Sequence, residues 1–192
     1  MRTFRIVLWT LVVVAAIGAT ALYFLRPSLV NSPGGGQFAL VDQRGAPVDQ
    51  SLFVGKPSLL FFGYTHCPDV CPTTMGEMQG WFAVLGDEAK TLQGVFVTVD
   101  PARDTPEILG DYVSFVSDRI LALSGPQPEI DKVVKDWGAV AEKVATEDGG
   151  YLMNHSASVF MVDSKGQFFG TIAYQEPTDT ALAKIRRLLA AS

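Results

Sequence analysis

Two cysteines stand four positions apart in Gly63-Tyr64-Thr65-His66-Cys67-Pro68-Asp69-Val70-Cys71-Pro72, and the 192-residue chain has no others. Two thiols at this spacing can close a disulfide or hold a soft metal ion together. An apolar run precedes them and a helical pattern follows, so they fall at a strand end and a helix start. Helix N-termini carry partial positive charge and free N–H groups, which favours thiolate over thiol. Cys67 or Cys71 is therefore expected to ionise more easily than a free cysteine. On a helix, positions i and i+4 hold their Cβ atoms about 5–6 Å apart. A disulfide needs about 3.5–4.5 Å. This spacing tilts toward metal without excluding a disulfide, either redox-active or structural.

A metal held by two sulfurs needs a third ligand, and the chain has two histidines. His66 adjoins Cys67, so its ring is expected to point away. His155 precedes a strand pattern, and in a thioredoxin-like fold the loop entering that strand faces the dithiol. His155 can then complete a Cys₂His set. Sulfur plus imidazole suits copper, as Cu(I) or Cu(II). Zinc would want a fourth ligand, usually Cys or His. Asp100 and Asp104 stand where they can line the site at a strand end. Asp104 can instead cap a helix, and Asp100 can simply turn the chain before Pro101. Met75 and Met78 share a helical face with Cys71, but Phe82 and Leu85 continue that stripe as core. Trp81 and Trp137 are read as packing residues, and Asp69 as an acid in the first helical turn.

The elements that position these residues follow from hydrophobic period. Ser58–Phe62, Val95–Val99 and Ile120–Leu123 read as buried strands. Helical stripes cover about 72–85, 105–116 and 130–137, the second opened by Thr105 as cap and Pro106 in the first turn. Asp163-Ser164-Lys165-Gly166 joins a hairpin of 157–162 and 167–173, and a last helix holds Leu182 to Leu189. The alternation predicts an α/β class with a central mixed sheet flanked by helices. A dithiol ending the first core strand makes it a thioredoxin-like fold.

Ile6–Leu25 is a run of 20 uncharged, mostly apolar residues. At about 1.5 Å per residue it spans about 30 Å, a bilayer core. Arg2 and Arg5 precede it, which predicts a cytoplasmic N-terminus and an external C-terminal domain. Ala19-Thr20-Ala21 also has the form of a signal-peptide cleavage site, and that alternative stays open. The division expected is a transmembrane anchor over 1–26, a Pro/Gly-rich tether over 27–37, and one domain over 38–192. A bacterial inner membrane protein facing the periplasm fits this layout. Beyond Arg26 lie all 20 acidic residues and 12 of the 15 basic ones, a net charge of −8. Such a surface argues against nucleic acid as a partner.

The segment Gly63–Thr74 closely resembles the core motif of the Sco/SenC family. Val99-Asp100-Pro101-Ala102-Arg103-Asp104-Thr105-Pro106 resembles the family's second motif, and His155-Ser156 its distal-histidine motif. The resemblance spans nearly the whole chain, with three motifs in order. It implies a membrane-tethered, thioredoxin-like copper metallochaperone rather than an enzyme, with copper held by Cys67, Cys71 and His155. It implies a supporting role for Asp100. The implied partner is cytochrome c oxidase subunit II, whose CuA centre would receive the copper, and other copper chaperones are further candidate partners. Many relatives carry Asp before the distal histidine, where this chain has Asn154. Two rival readings use the same sulfurs: a thiol–disulfide oxidoreductase for acceptor cysteines, and a redox or copper sensor.

Overall fold

The computed structural model describes residues 4–6, 9, 34 and 36–192. The apolar run expected to cross a membrane lies outside the described residues except at Ile6 and Trp9. Among the described residues, no helix is long and apolar enough to cross a membrane.

Within 36–192 the strands are β1 (Ala39–Asp42), β2 (Pro47–Asp49), β3 (Ser58–Gly63), β4 (Gln93–Thr98), β5 (Ile120–Ser124), β6 (Ala141–Ala145), β7 (Tyr151–His155), β8 (Val159–Val162) and β9 (Phe168–Ile172). The helices are α1 (Val70–Leu85), α2 (Pro106–Ser114), α3 (Gln127–Asp136) and α4 (Thr178–Ala191). Seven strands form one sheet in the order β2-β1-β5-β4-β3-β8-β9, and β6 pairs only with β7. The strands β3, β4 and β5 run parallel, joined by the α1 and α2 crossovers; β8 lies antiparallel to β3, and β1 antiparallel to β5.

This arrangement follows from burial. Every residue of β3 is buried, and Leu59–Phe62 are fully so, because β3 is central and covered on both faces. Helix α1 adds Met75, Met78, Trp81, Phe82 and Leu85 to the core. A fully buried side chain of this size contributes roughly 1.5–3 kcal/mol. Met75, Met78, Trp81 and Trp137 are thus core residues. Helix α2 is capped as expected: the Ile108 amide donates to Thr105 Oγ1 at 3.4 Å, with Pro106 at the first position.

Two hairpins were not anticipated. The first is β1–β2, which extends the sheet at one edge. The second is β6–β7, whose residues are mostly exposed and whose sequence does not alternate between apolar and polar residues. Strand β8 also starts at Val159 rather than 157, since His155 belongs to β7.

Candidate metal centre

The parallel strand β3 must end at its C-terminal edge, and there the chain turns through Thr65–Asp69 into α1. Helix α1 begins at Val70, two residues earlier than its apolar stripe suggests, so Cys71 sits in its first turn. Cys67 lies in the turn before it, where its amide donates to Tyr64 O at 3.3 Å. The pair is therefore not a helical i, i+4 pair, and the strain argument against a disulfide drops out. Asp69 occupies the N-cap position but makes no side-chain cap bond. Instead Cys67 Sγ accepts the Cys71 amide at 3.4 Å, taking one of the helix's free N–H groups.

Gly63 closes β3 directly behind the site. A Cβ there would lie 2.8 Å from Cys71 Sγ and 2.8 Å from the Phe96 ring. The missing side chain is the space in which the sulfur sits. Cys71 is 0 % exposed, whereas Cys67 is half-buried, and both are free thiols.

The opposite wall comes from β7. His155 Nε2 stands 3.3 Å from Cys71 Sγ and 3.8 Å from Cys67 Sγ. Its other nitrogen, Nδ1, donates to Ser156 O at 3.0 Å, which leaves the Nε2 lone pair facing the sulfurs. The ring packs edge-on against Tyr64 and Phe61. All three ligand atoms lie within 4.8 Å of one another. Burial holds the His155 imidazole below its ordinary value, so it is neutral near pH 7, the form that coordinates metal. Burial also pushes the Cys71 thiol well up. The expected easing of ionisation at the helix start therefore fails for Cys71, because desolvation of the buried sulfur outweighs the helix terminus. A bound cation would displace that proton.

The acids divide. Asp104 is fully buried, and caps no helix. Its carboxylate accepts from Thr65 Oγ1 at 2.6 Å, Thr65 N at 3.1 Å and Thr98 Oγ1 at 2.6 Å. It ties the dithiol turn to the end of β4. Asp100 accepts from Arg103 Nε and, at 3.0 Å, from Tyr151 Oη, and does not belong to the ligand cluster. His66 is exposed, with Nδ1 against Thr65 Oγ1 at 3.0 Å, and is not a member of the cluster. The roles of Tyr64, Thr65, Thr98, Arg103 and Tyr151 escaped sequence reasoning. The one available signal was Thr98, a hydroxyl in an otherwise apolar buried run. Beside the site opens a mostly apolar cavity of about 340 Å³, walled by Tyr64, Pro68, Val70, Val144, Leu152 and Met153, with Cys67, Asp69, Asn154 and His155 at its lining.

The fold and site define a thioredoxin-like α/β domain with a Cys₂His cluster at the start of its first core helix. A SCO1/SenC family profile matches residues 27–190, and the chain belongs to that family. The copper-bound structure of Bradyrhizobium japonicum ScoI is 40 % identical, with a TM-score of 0.74, covering 80 % of this chain and 98 % of that one. Copper-bound yeast Sco1 is 30 % identical, with a TM-score of 0.75, covering 82 % and 89 %. Among curated relatives, SenC of Rhodobacter capsulatus is 34 % identical over 131 residues, which is 68 % of this chain and 59 % of the relative. Mitochondrial SCO2 of Saccharomyces cerevisiae is 32 % identical over 160 residues, 82 % of this chain and 53 % of the relative. The matched region thus spans only about half to two thirds of these relatives.

Proposed function

We propose that this protein is a copper metallochaperone, binding one copper ion through Cys67, Cys71 and His155. The observation that carries the reading is the convergence of two free thiol sulfurs and one neutral imidazole nitrogen within 4.8 Å. The donor set fits copper: it is soft, it has three members, and the described residues add no fourth Cys or His for zinc. The copper-bound relatives support the same ion.

Unequal exposure gives a direction to transfer. Cys71 is sealed behind Gly63, so an incoming acceptor thiol or imidazole meets Cys67 and His155 first. Exchange then proceeds at the open side, with the apolar cavity next to Cys67 available to seat the acceptor. Oxidation of the dithiol would remove both sulfur donors, so redox state gates loading. The proposed acceptor is the CuA site of cytochrome c oxidase subunit II, in keeping with the Sco/SenC motifs. The proposed location is the bacterial inner membrane, with residues 1–26 as anchor, 27–37 as tether, and the domain 38–192 in the periplasm.

Competition titration of the reduced chain with a Cu(I) chelator tests binding. The reading requires a one-to-one site that weakens beyond about tenfold, or 1.4 kcal/mol, in His155→Ala. Equal affinity in the variant would remove His155 as a ligand. It would leave acceptor-thiol reduction as the leading function, a second reading favoured by the half-buried Cys67 beside a sealed partner sulfur. Copper counted in reduced, metal-free subunit II re-isolated after mixing with the Cu(I)-loaded chain tests delivery. A protein that passes a signal rather than copper leaves subunit II metal-free.

A further inference from the structure

His155 is carried by a hairpin that pairs with no strand of the main sheet. A lone two-stranded hairpin is marginal in water, and this one is mostly exposed. Side chains must therefore hold it to the domain. Along β7, Tyr151, Met153 and His155 are the partly buried positions, and Leu152 and Asn154 are exposed. Residues i, i+2 and i+4 of a strand share one face. Tyr151 and His155 thus stand at the two ends of the same inward face.

Tyr151 is fastened on several sides. Its hydroxyl donates to Asp100 Oδ1 at 3.0 Å, and its carbonyl accepts from Arg103 Nη1 at 3.2 Å. The Arg103 guanidinium lies 3.8 Å from the Tyr151 ring centroid, and the Lys143 ammonium of β6 lies 3.6 Å from it. Arg103 Nε donates to the second oxygen of Asp100, closing a ring of three residues. Asp100 and Arg103 both belong to the turn after β4, which Asp104 and Thr98 anchor in the core. The guanidinium also lies 5.6 Å from the Tyr64 ring, against which the His155 imidazole packs edge-on.

We infer that Arg103 is a positioning residue for the third ligand. It latches Tyr151 to Asp100, and the latched strand holds His155 Nε2 over the two sulfurs. This rests on the Cys₂His reading above. It assigns Asp100 to the latch, not to the metal.

The test uses the reduced full chain, a Cu(I) competition titration, and the variants Arg103→Met, Arg103→Lys, Tyr151→Phe, His155→Ala and Arg103→Met/His155→Ala. Arg103→Met should weaken copper binding about tenfold or more, as loss of a partner that orients a ligand typically does. Tyr151→Phe, which deletes one hydrogen bond, should cost less, and Arg103→Lys should recover part of the affinity. In the His155→Ala background Arg103→Met should cost nothing further, because its effect passes through that ligand. In the metal-free chain, amide exchange should quicken in β6 and β7 and stay unchanged in β3 and β4. An equal loss with and without His155 overturns the inference, since Arg103 would then act on stability alone. So does unchanged affinity in Arg103→Met, even with a loosened hairpin. A His155→Ala chain that binds like wild type overturns the ligand reading itself, and that failure is read from the single variant.

Discussion

Gly63→Ala isolates the packing that makes the site. The backbone at Gly63 does not need glycine for its conformation, since it is an ordinary strand position outside the left-handed region. Alanine carries a better strand propensity than glycine, so propensity alone predicts mild stabilisation. The surroundings predict the opposite. The new methyl carbon would meet Cys71 Sγ and the Phe96 ring at 2.8 Å each, and the Phe61 ring at 3.1 Å. Comfortable carbon contacts lie at about 3.5–4.0 Å. Something must move by about 1 Å, and two of the three neighbours are core phenyl rings that pack on each other. All three neighbours are fully buried, so relief of the contact displaces the Cys71 sulfur or the rings packed beside it. Overpacking of this kind costs roughly 1–3 kcal/mol. Metal sites tolerate ligand errors of only about 0.2 Å. Gly63→Ala should therefore fold with an unfolding free energy lower by roughly 1–3 kcal/mol, and should bind Cu(I) at least about tenfold more weakly, more than 1.4 kcal/mol. Urea denaturation and chelator competition on one preparation measure both. Wild-type affinity with wild-type stability would refute the claim that the missing side chain is the seat of the Cys71 sulfur.

Further expectations concern other parts of the account. Asp104→Ala strands three donors that now meet a buried carboxylate, at about 1.5–3 kcal/mol for each hydrogen bond to a charged group before relaxation. A net loss of roughly 2–4 kcal/mol in urea denaturation is expected once the two hydroxyls have turned to other partners, and a loss under about 1 kcal/mol would show that the tie is dispensable. With iodoacetamide on the metal-free reduced chain, Cys67 should be alkylated well before Cys71, which is sealed and whose thiol burial pushes up; peptide mapping reads the order, and equal rates would refute it. Burial pushes the Asp42 carboxyl up, but the Ala46 and Arg44 amides that donate to it outweigh this and hold it below the ordinary range. Its contribution to stability is thus present above the unfolded carboxylate pKa of about 3.9 and is lost as pH falls through the lower folded value. Asp42→Asn should lower stability at neutral pH and flatten that acid limb; an unchanged limb would contradict it.

The core of this fold was legible because its strands are continuous apolar runs. β3 and β4 stand out as Ser58–Phe62 and Val95–Val99, and the stripe of α1 as Met75, Met78, Phe82 and Leu85. The β6–β7 hairpin was not legible, since Glu142, Lys143 and Asn154 leave no alternation, and its hold on the domain is by side chains. The three site residues were nameable from type and place: two sulfurs at a strand end and a histidine before a strand. What brings them together was not. The tie from Arg103 to Tyr151 spans 48 positions, and the tie from Thr65 to Asp104 spans 39. Neither leaves a local pattern. The ionisation of Cys71 was misjudged for a related reason: the helix terminus is visible in the sequence, whereas the burial that overrides it depends on Gly63, Phe61 and Phe96 meeting in space.

The central claim is that Cys67, Cys71 and His155 hold copper together. X-ray absorption at the copper edge of the Cu(I)-loaded chain, with His155→Ala beside it, tests this most directly. The account predicts two sulfur scatterers and one imidazole in the wild-type chain, and loss of the imidazole signal alone in the variant. An imidazole signal that survives His155→Ala, or a wild-type shell without two sulfurs, would contradict it.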